Sequence, residues 1–298
     1  MHANLLLLFA SAIWGFGFVA QRLGMEHLEP FAFNGIRFLI GALSLLPLIW
    51  WQHQRKLLRW QPMATAKGGL LVGSLLFIAA SFQQVGLLYT TAANAGFITG
   101  LYIVLVPILG LALKHSTGTN TWVGCVIAAI GLFLLSVQDD FTVGLGDSLQ
   151  LVGALFWAMH ILAVDHFAKR SAPILLALLQ FIVCGGMSLL VSWAIEATTL
   201  IQVQLAWKSL AYAGLISVGV AYTLQVVAQK RAHPAHAAII LSLEAVFAAI
   251  GGILLLGESL SLKALLGCAL MLLGMLVSQL SWRYVVTARI LQKLFPQR

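Results

Sequence analysis

Two formal charges, Arg37 and Glu244, stand inside long apolar stretches. If those stretches cross a bilayer, each charge costs about 2.5–3.5 kcal/mol on insertion scales, and such residues face a cavity or a partner. Glu244 then has two readings: a site for a substrate ammonium or a coupling proton, or a carboxyl tied by hydrogen bonds to neighbouring helices. Arg37 follows Pro30 by seven residues, about 10 Å along a helix. It reads as a structural group that snorkels or pairs with Asn34 or a helix end, with capture of a substrate carboxylate as its functional reading. Trp14, Tyr102 and Trp157 lie too deep in their apolar runs to be interface anchors. They either wall a cavity and stack on flat or apolar substrates, or simply pack. His160, one helical turn after Trp157, is a proton relay, a substrate contact or a packing residue. Gln83, Gln84, Gln225 and Asn94 add polar groups that a watery cavity or helix-to-helix hydrogen bonds would satisfy.

The expected substrate-binding set is therefore Trp14, Gln83, Asn94, Tyr102, Trp157, His160 and Glu244, with Glu244 the proton or ammonium site and Arg37 structural or carboxylate-binding. No metal or cofactor is expected. His160, Asp165 and His166 have no helical ligand spacing, and Asp165 reads as the start of a loop. His233 and His236 read as an entrance or a helix cap. The chain has no Gly-x-x-x-x-Gly-Lys-Ser/Thr run, no Gly-x-Ser-x-Gly and no His-Glu-x-x-His, the usual markers of ATP use and of hydrolases. Energy would come from a substrate or ion gradient.

The elements that must position these residues follow from composition. Of 298 residues, 61% are hydrophobic and 9% charged, against roughly 45–50% and 25% in soluble domains. A water-facing shell cannot be built from so few charges, which excludes a soluble enzyme. The net charge of +8 marks loop ends rather than a nucleic-acid surface. Cys125, Cys184 and Cys268 lie within apolar runs, so no disulfide framework is expected. The first apolar run reads as a retained span rather than a cleaved signal.

About 20 apolar residues cross the hydrocarbon. The apolar runs predict ten spans: Ala3–Gln21, Phe31–Trp51, two within Gly68–Leu113 joined near Tyr89-Thr90-Thr91, then Trp122–Val137, Ser148–Asp165, Ala172–Ile195, Trp207–Gln229, Ala235–Leu256 and Leu262–Trp282. With the N-terminus inside, the inner loops and tail hold 13 Lys and Arg and the outer loops three. Both termini are then cytoplasmic. The tail from Thr287 reads as a surface-lying basic helix or a solvated end.

The sequence also resembles itself at an offset of 142 or 143 residues. Trp14 falls on Trp157, Pro30 on Pro173, Arg37 on Gln180, Gln83 on Gln225 and Asn94 on His236. Gly124 and Gly131 fall on Gly267 and Gly274. Each half has five spans, an odd number, so the second half enters the membrane the other way up. The predicted fold is all-α integral membrane, ten transmembrane helices in two inverted five-helix repeats: 1–138, 147–282, then a basic tail, 283–298. Inverted repeats serve alternating access around a midplane site. Ala92, Gly96 and Gly100, with Pro234, Ala238 and Ser242, form small faces that suggest a close-packed centre.

Several local motifs resemble the drug/metabolite transporter superfamily, in its EamA-type ten-helix branch. They are Ala12-Ile13-Trp14-Gly15, Gly35-Ile36-Arg37-Phe38, the stretch from Tyr89 to Ile98, and Leu256-Gly257-Glu258-Ser259-Leu260-Ser261 followed by Gly267. The likeness covers nearly the whole chain. It departs after the fourth span, where Lys114-His115-Ser116 replaces a second Gly-Glu step. The resemblance implies a secondary transporter of small metabolites in a bacterial inner membrane, often an exporter of amino acids or related compounds, with a central cavity between the halves. Its expected partners are a small-molecule substrate, the lipid bilayer and a coupling proton, without nucleic acid, as monomer or homodimer. The rival readings are an embedded enzyme on lipid-linked substrates, a receptor or assembly partner that moves nothing, and a channel.

Overall fold

The computed structural model describes residues 2–58, 61–90, 92–115, 117–136, 144–256 and 261–280. All regular structure among them is helical. In chain order the helices are α1 (His2–Gly24), α2 (Pro30–Gln54), α3 (Pro62–Gly86), α4 (Ala92–Gly100 and Tyr102–Ala112) and α5 (Thr119–Ser136). The second half comprises α6 (Leu145–Ala168), α7 (Pro173–Ile195), α8 (Trp207–Gln229), α9 (Pro234–Leu241 and Glu244–Leu256) and α10 (Leu262–Gln279). A short helix, Leu200–Leu205, precedes α8. Eight of these are long and apolar enough to cross a bilayer, and the shorter apolar segments Ile98–Ala112 and Thr119–Leu135 occupy the places of the fourth and fifth spans.

Local chemistry sets the helix starts. Pro30, Pro62, Pro173 and Pro234 each open a helix, where the missing N–H costs nothing and φ is already helical. His233 caps α9, its ring nitrogen accepting from Ala235 N at 3.3 Å, and Ser261 caps α10 through Ala264 N at 3.2 Å. Asp165 does not begin a loop: α6 runs on to Ala168, because Lys169 bonds Asp165 at 2.7 Å across one helical turn.

Three helices are irregular, and all three reach the centre. α4 breaks at Leu101 and α9 at Ser242–Leu243. At the second break the Ser242 hydroxyl donates to its own helix at Ile239 O, 2.9 Å away, a local bond that competes with the helical ladder. α8 is wound as a π-helix over Tyr212–Tyr222. Such windings are uncommon and frequent at functional sites.

Packing between the halves is reciprocal. A Cβ added to Gly124 would come within 2.6 Å of Gly274 O, and one added to Gly131 within 2.6 Å of Gly267 O. Gly267 and Gly274 are the counterparts of Gly124 and Gly131 at an offset of 143, so each glycine of α5 meets the counterpart of the other. That crossed pattern is what a two-fold axis between antiparallel α5 and α10 requires. The small face on α4 is only half used: Gly100 lies against Leu132, whereas a Cβ on Gly96 would meet nothing within 4 Å. The expectation of close packing at Gly96 is corrected accordingly, because the crossing falls one turn further along.

Candidate functional site

Seven of the ten helices contribute to one central cavity, and their periodicity explains which residues reach it. Trp14, Phe18 and Gln21 form one stripe of α1, Thr99 and Tyr102 flank the break in α4, and Leu241 and Glu244 flank the break in α9. α6 supplies Trp157 and Ile161, one turn apart, while α2 supplies Arg37 and α3 Gln83. Ser217 and Tyr222 of α8 are five residues apart, a spacing that the π-winding places on one side.

Glu244 opens the second segment of α9, where the helix dipole favours negative charge. Tyr102 opens the second segment of α4 and donates from Oη to Glu244 Oε1 at 3.0 Å. Both are buried. Arg37 is 2% exposed. Its Nε donates to Asn34 Oδ1 at 2.9 Å, and Asn34 Nδ2 donates onward to Ala80 O at 3.1 Å. The guanidinium lies over the rings of Phe38 and Phe33, 4.9 and 5.7 Å from their centroids. Asn34 is thus the partner expected from the sequence, but it holds only one edge of the fork. Arg37 Nη2 finds no partner among the described residues.

The aromatic wall centres on Tyr222. Its ring lies 4.5 Å from Trp14 and 6.1 Å from Trp157, nearly parallel to the latter. Trp14 Nε1 donates to Ser217 O at 3.2 Å, whereas Trp157 Nε1 has no partner among the described residues. His160 stands behind this wall, edge-on to Trp157 at 5.7 Å, with Nε2 donating to Gln180 Oε1 at 2.9 Å. It does not line the cavity. Gln83 does, and its neighbours fix it: Gln150 Nε2 donates to Gln83 O at 2.8 Å, and Gln83 Nε2 to Thr99 Oγ1 at 3.4 Å. The side chain of Asn94 lies outside the described residues.

Tyr222, Ser217, Gln21 and Thr99 belong to the site but not to the set expected from sequence. Gln21 carries a readable signal, two helical turns along the same stripe from Trp14. Ser217 carries none, because it acts through its carbonyl.

Four lining residues thus carry a buried polar atom without a hydrogen-bond partner among the described residues: Arg37 Nη2, Trp157 Nε1, Gln21 Oε1 and Gln225 Oε1. Buried polar atoms are normally bonded, so water or a ligand must answer these. The cavity measures about 30 Å³, room for about two waters. A metabolite would need the walls to part. With one cation, one carboxyl and an aromatic wall, the chemistry suits a molecule carrying both charges and a flat or apolar body. No group of three or more metal-ligating side chains occurs among the described residues.

Comparison with known proteins decides the family. Residues 1–137 and, separately, 144–280 match the EamA-like transporter family. The chain belongs to that family. An uncharacterized transporter of Archaeoglobus fulgidus is 33% identical over 286 residues, covering 94% of this chain and 86% of that one. The Bacillus subtilis transporter YwfM, also uncharacterized, is 28% identical over 297 residues, with 96% of each chain covered. The uncharacterized inner membrane transporter YedA of Escherichia coli K12 matches about half of the chain, 151 residues at 26% identity. A solved crystal structure superposes with a TM-score of 0.79 over 95% of this chain and 98% of its own at 20% identity, which establishes the shared fold. This EamA-family chain is accordingly a multi-pass membrane transporter rather than an enzyme.

Proposed function

We propose that this EamA-family protein is a secondary transporter that exports a small zwitterionic metabolite, an amino acid or a close relative with a flat or apolar side chain, by alternating access. The carrying observation is that Arg37 and Glu244 line the same aromatic-walled cavity, with Arg37 Nη2 unanswered among the described residues. In this reading the substrate carboxylate bonds Nη2, its ammonium takes the place of Tyr102 at Glu244, and its side chain lies on Trp14, Trp157 and Tyr222. A proton on Glu244 would compete with the ammonium, coupling flux to the pH gradient. Ten spans, halves of 1–138 and 147–282 and cytoplasmic termini complete the proposal. The reciprocal glycine contacts and the excess of Lys and Arg in alternate loops support it.

The test is counterflow in proteoliposomes of the purified protein, using aromatic and branched amino acids against their decarboxylated amines. The expected result is uptake of the zwitterions, lost in Glu244→Gln. Equal uptake by empty vesicles would exclude transport. Uptake that stays pH-dependent in Glu244→Gln would exclude the coupling role.

A further inference from the structure

The pair α2/α7 has two ends that differ in a way the internal symmetry makes visible. At one end Glu196, the residue following α7, accepts from Phe31 N at 2.8 Å and Ala32 N at 2.7 Å, the first free N–H groups of α2. A carboxylate thus fills the positive end of that helix dipole. At the other end α7 starts at Pro173, the counterpart of Pro30, and Ile174 is the counterpart of Phe31 at the same offset of 143. The counterpart of Glu196 is His53, which is exposed and carries no carboxylate. Leu175 N turns back to Ala172 O at 3.1 Å. For Ile174 N no acceptor exists among the described residues.

In place of the carboxylate there is a cavity of about 420 Å³, lined by Ile174, Gln52, Lys169, Arg170, Lys230 and Thr223 among others. That volume falls within the roughly 300–1,000 Å³ of small-molecule sites. Thr223 is 9% exposed and its Oγ1 has no hydrogen-bond partner among the described residues. Lys169 is held by Asp165 at 2.7 Å, and Arg170 Nη1 lies 2.8 Å from His166 Nε2. Lys230 has no acidic partner among the described residues. The site thus offers an open helix N-terminus, an unanswered hydroxyl and three cations, the chemistry of an oxyanion site.

Its walls name the carrier of that oxyanion. Leu48 and Val227 line the same cavity and are 40% and 39% exposed on the apolar flank of the bundle, so an acyl chain can leave sideways along α2 and α8. We propose that the cavity between α2, α7 and α8 binds the phosphate of an anionic phospholipid, which does for α7 what Glu196 does for α2. The assignment is independent of what the central cavity carries.

The experiment is a thermal-melting titration of the purified full-length protein in a zwitterionic detergent, adding phosphatidylglycerol, phosphatidylcholine or inorganic phosphate. Ligands that bind the native state raise its melting temperature by mass action. Phosphatidylglycerol is expected to protect and phosphatidylcholine not. The half-protecting concentration should rise about tenfold, the loss of one hydrogen bond to a charged group, in Lys230→Gln and separately in Thr223→Val. Lys208→Gln, at a distant cation, should titrate like the parent. Equal protection by both lipids, or unchanged titration in both site variants, overturns the proposal. Protection by inorganic phosphate but not by phosphatidylglycerol overturns the lipid and leaves a soluble oxyanion in its place. Competition between the two supports the shared site.

Discussion

Tyr102 and Glu244 share one hydrogen bond of 3.0 Å, and they are 142 residues apart, the offset at which the two halves of the chain repeat. Each is the first residue after the break in its helix, so the bond joins equivalent positions across the symmetry axis. Two glutamates facing each other there would repel, and two tyrosines would leave no charge for a substrate. The exchange of one for the other turns a like pair into a donor and an acceptor. Breaking this bond should cost about 1–2 kcal/mol in the empty protein. Tyr102→Phe is therefore expected to lower the melting temperature but to tighten ammonium binding, since the carboxyl loses its internal competitor. A substrate titration by melting shift checks both signs, and unchanged affinity would show that the bond stays intact when substrate binds.

Arg37 provides a second test. Lysine cannot hold Asn34 and present another nitrogen to the cavity at once. Arg37→Lys should weaken zwitterion binding about tenfold and leave a decarboxylated amine unaffected. Glu244→Gln should weaken both. Competition binding with the paired compounds separates the two roles, and equal losses for acid and amine in Arg37→Lys would make Arg37 purely structural.

The α5/α10 seam predicts a contrast between glycines. A Cβ on Gly131 would press on the Gly267 carbonyl and the Met271 nitrogen, at 2.6 and 2.7 Å, and neither backbone atom can swing away. Gly131→Ala should therefore destabilise by about 1–3 kcal/mol. Gly96→Ala, with open space around its Cβ, should stabilise by about 0.5–1 kcal/mol through backbone entropy. Paired melting curves in one detergent would show the opposite signs.

At the Glu196 clamp, Glu196→Gln keeps the shape but loses the charge and one of two acceptor oxygens. A loss of about 0.5–2 kcal/mol is expected, as for other helix caps. The loss should shrink little in high salt, because the clamp is partly buried. A melting series in salt reads this out.

Much of the architecture is legible in composition and spacing. Runs free of charge mark the spans, Pro30 and Pro173 mark matching helix starts, and the glycine pairs betray the repeat. The Arg37–Asn34 bond follows from their spacing of one helical turn. The helix breaks do not follow: Gly100 and Ser242 stand at them, but Gly35 and Ser44, of the same residue types, lie in α2, which runs unbroken. Tyr222 lies within the predicted span Trp207–Gln229, but its place beside Ser217 in the cavity lining is hidden. At 3.6 residues per turn, positions five apart point about 140° from each other, and only the π-winding brings them together. His160 shows the opposite case: its spacing from Trp157 was readable, but Gln180, which draws it behind the wall, lies on another helix.

The crossed contacts of Gly124 with Gly274 and Gly131 with Gly267 also bear on ancestry. Because each half carries both members of the motif, a chain of half this length would already possess a surface that fits an upside-down copy of itself. Joining two such copies end to end would fix their opposed insertion in one polypeptide and free the halves to diverge. The Tyr–Glu pair at the axis is a difference that only a fused chain can encode, since separate identical subunits would have to carry the same residue twice.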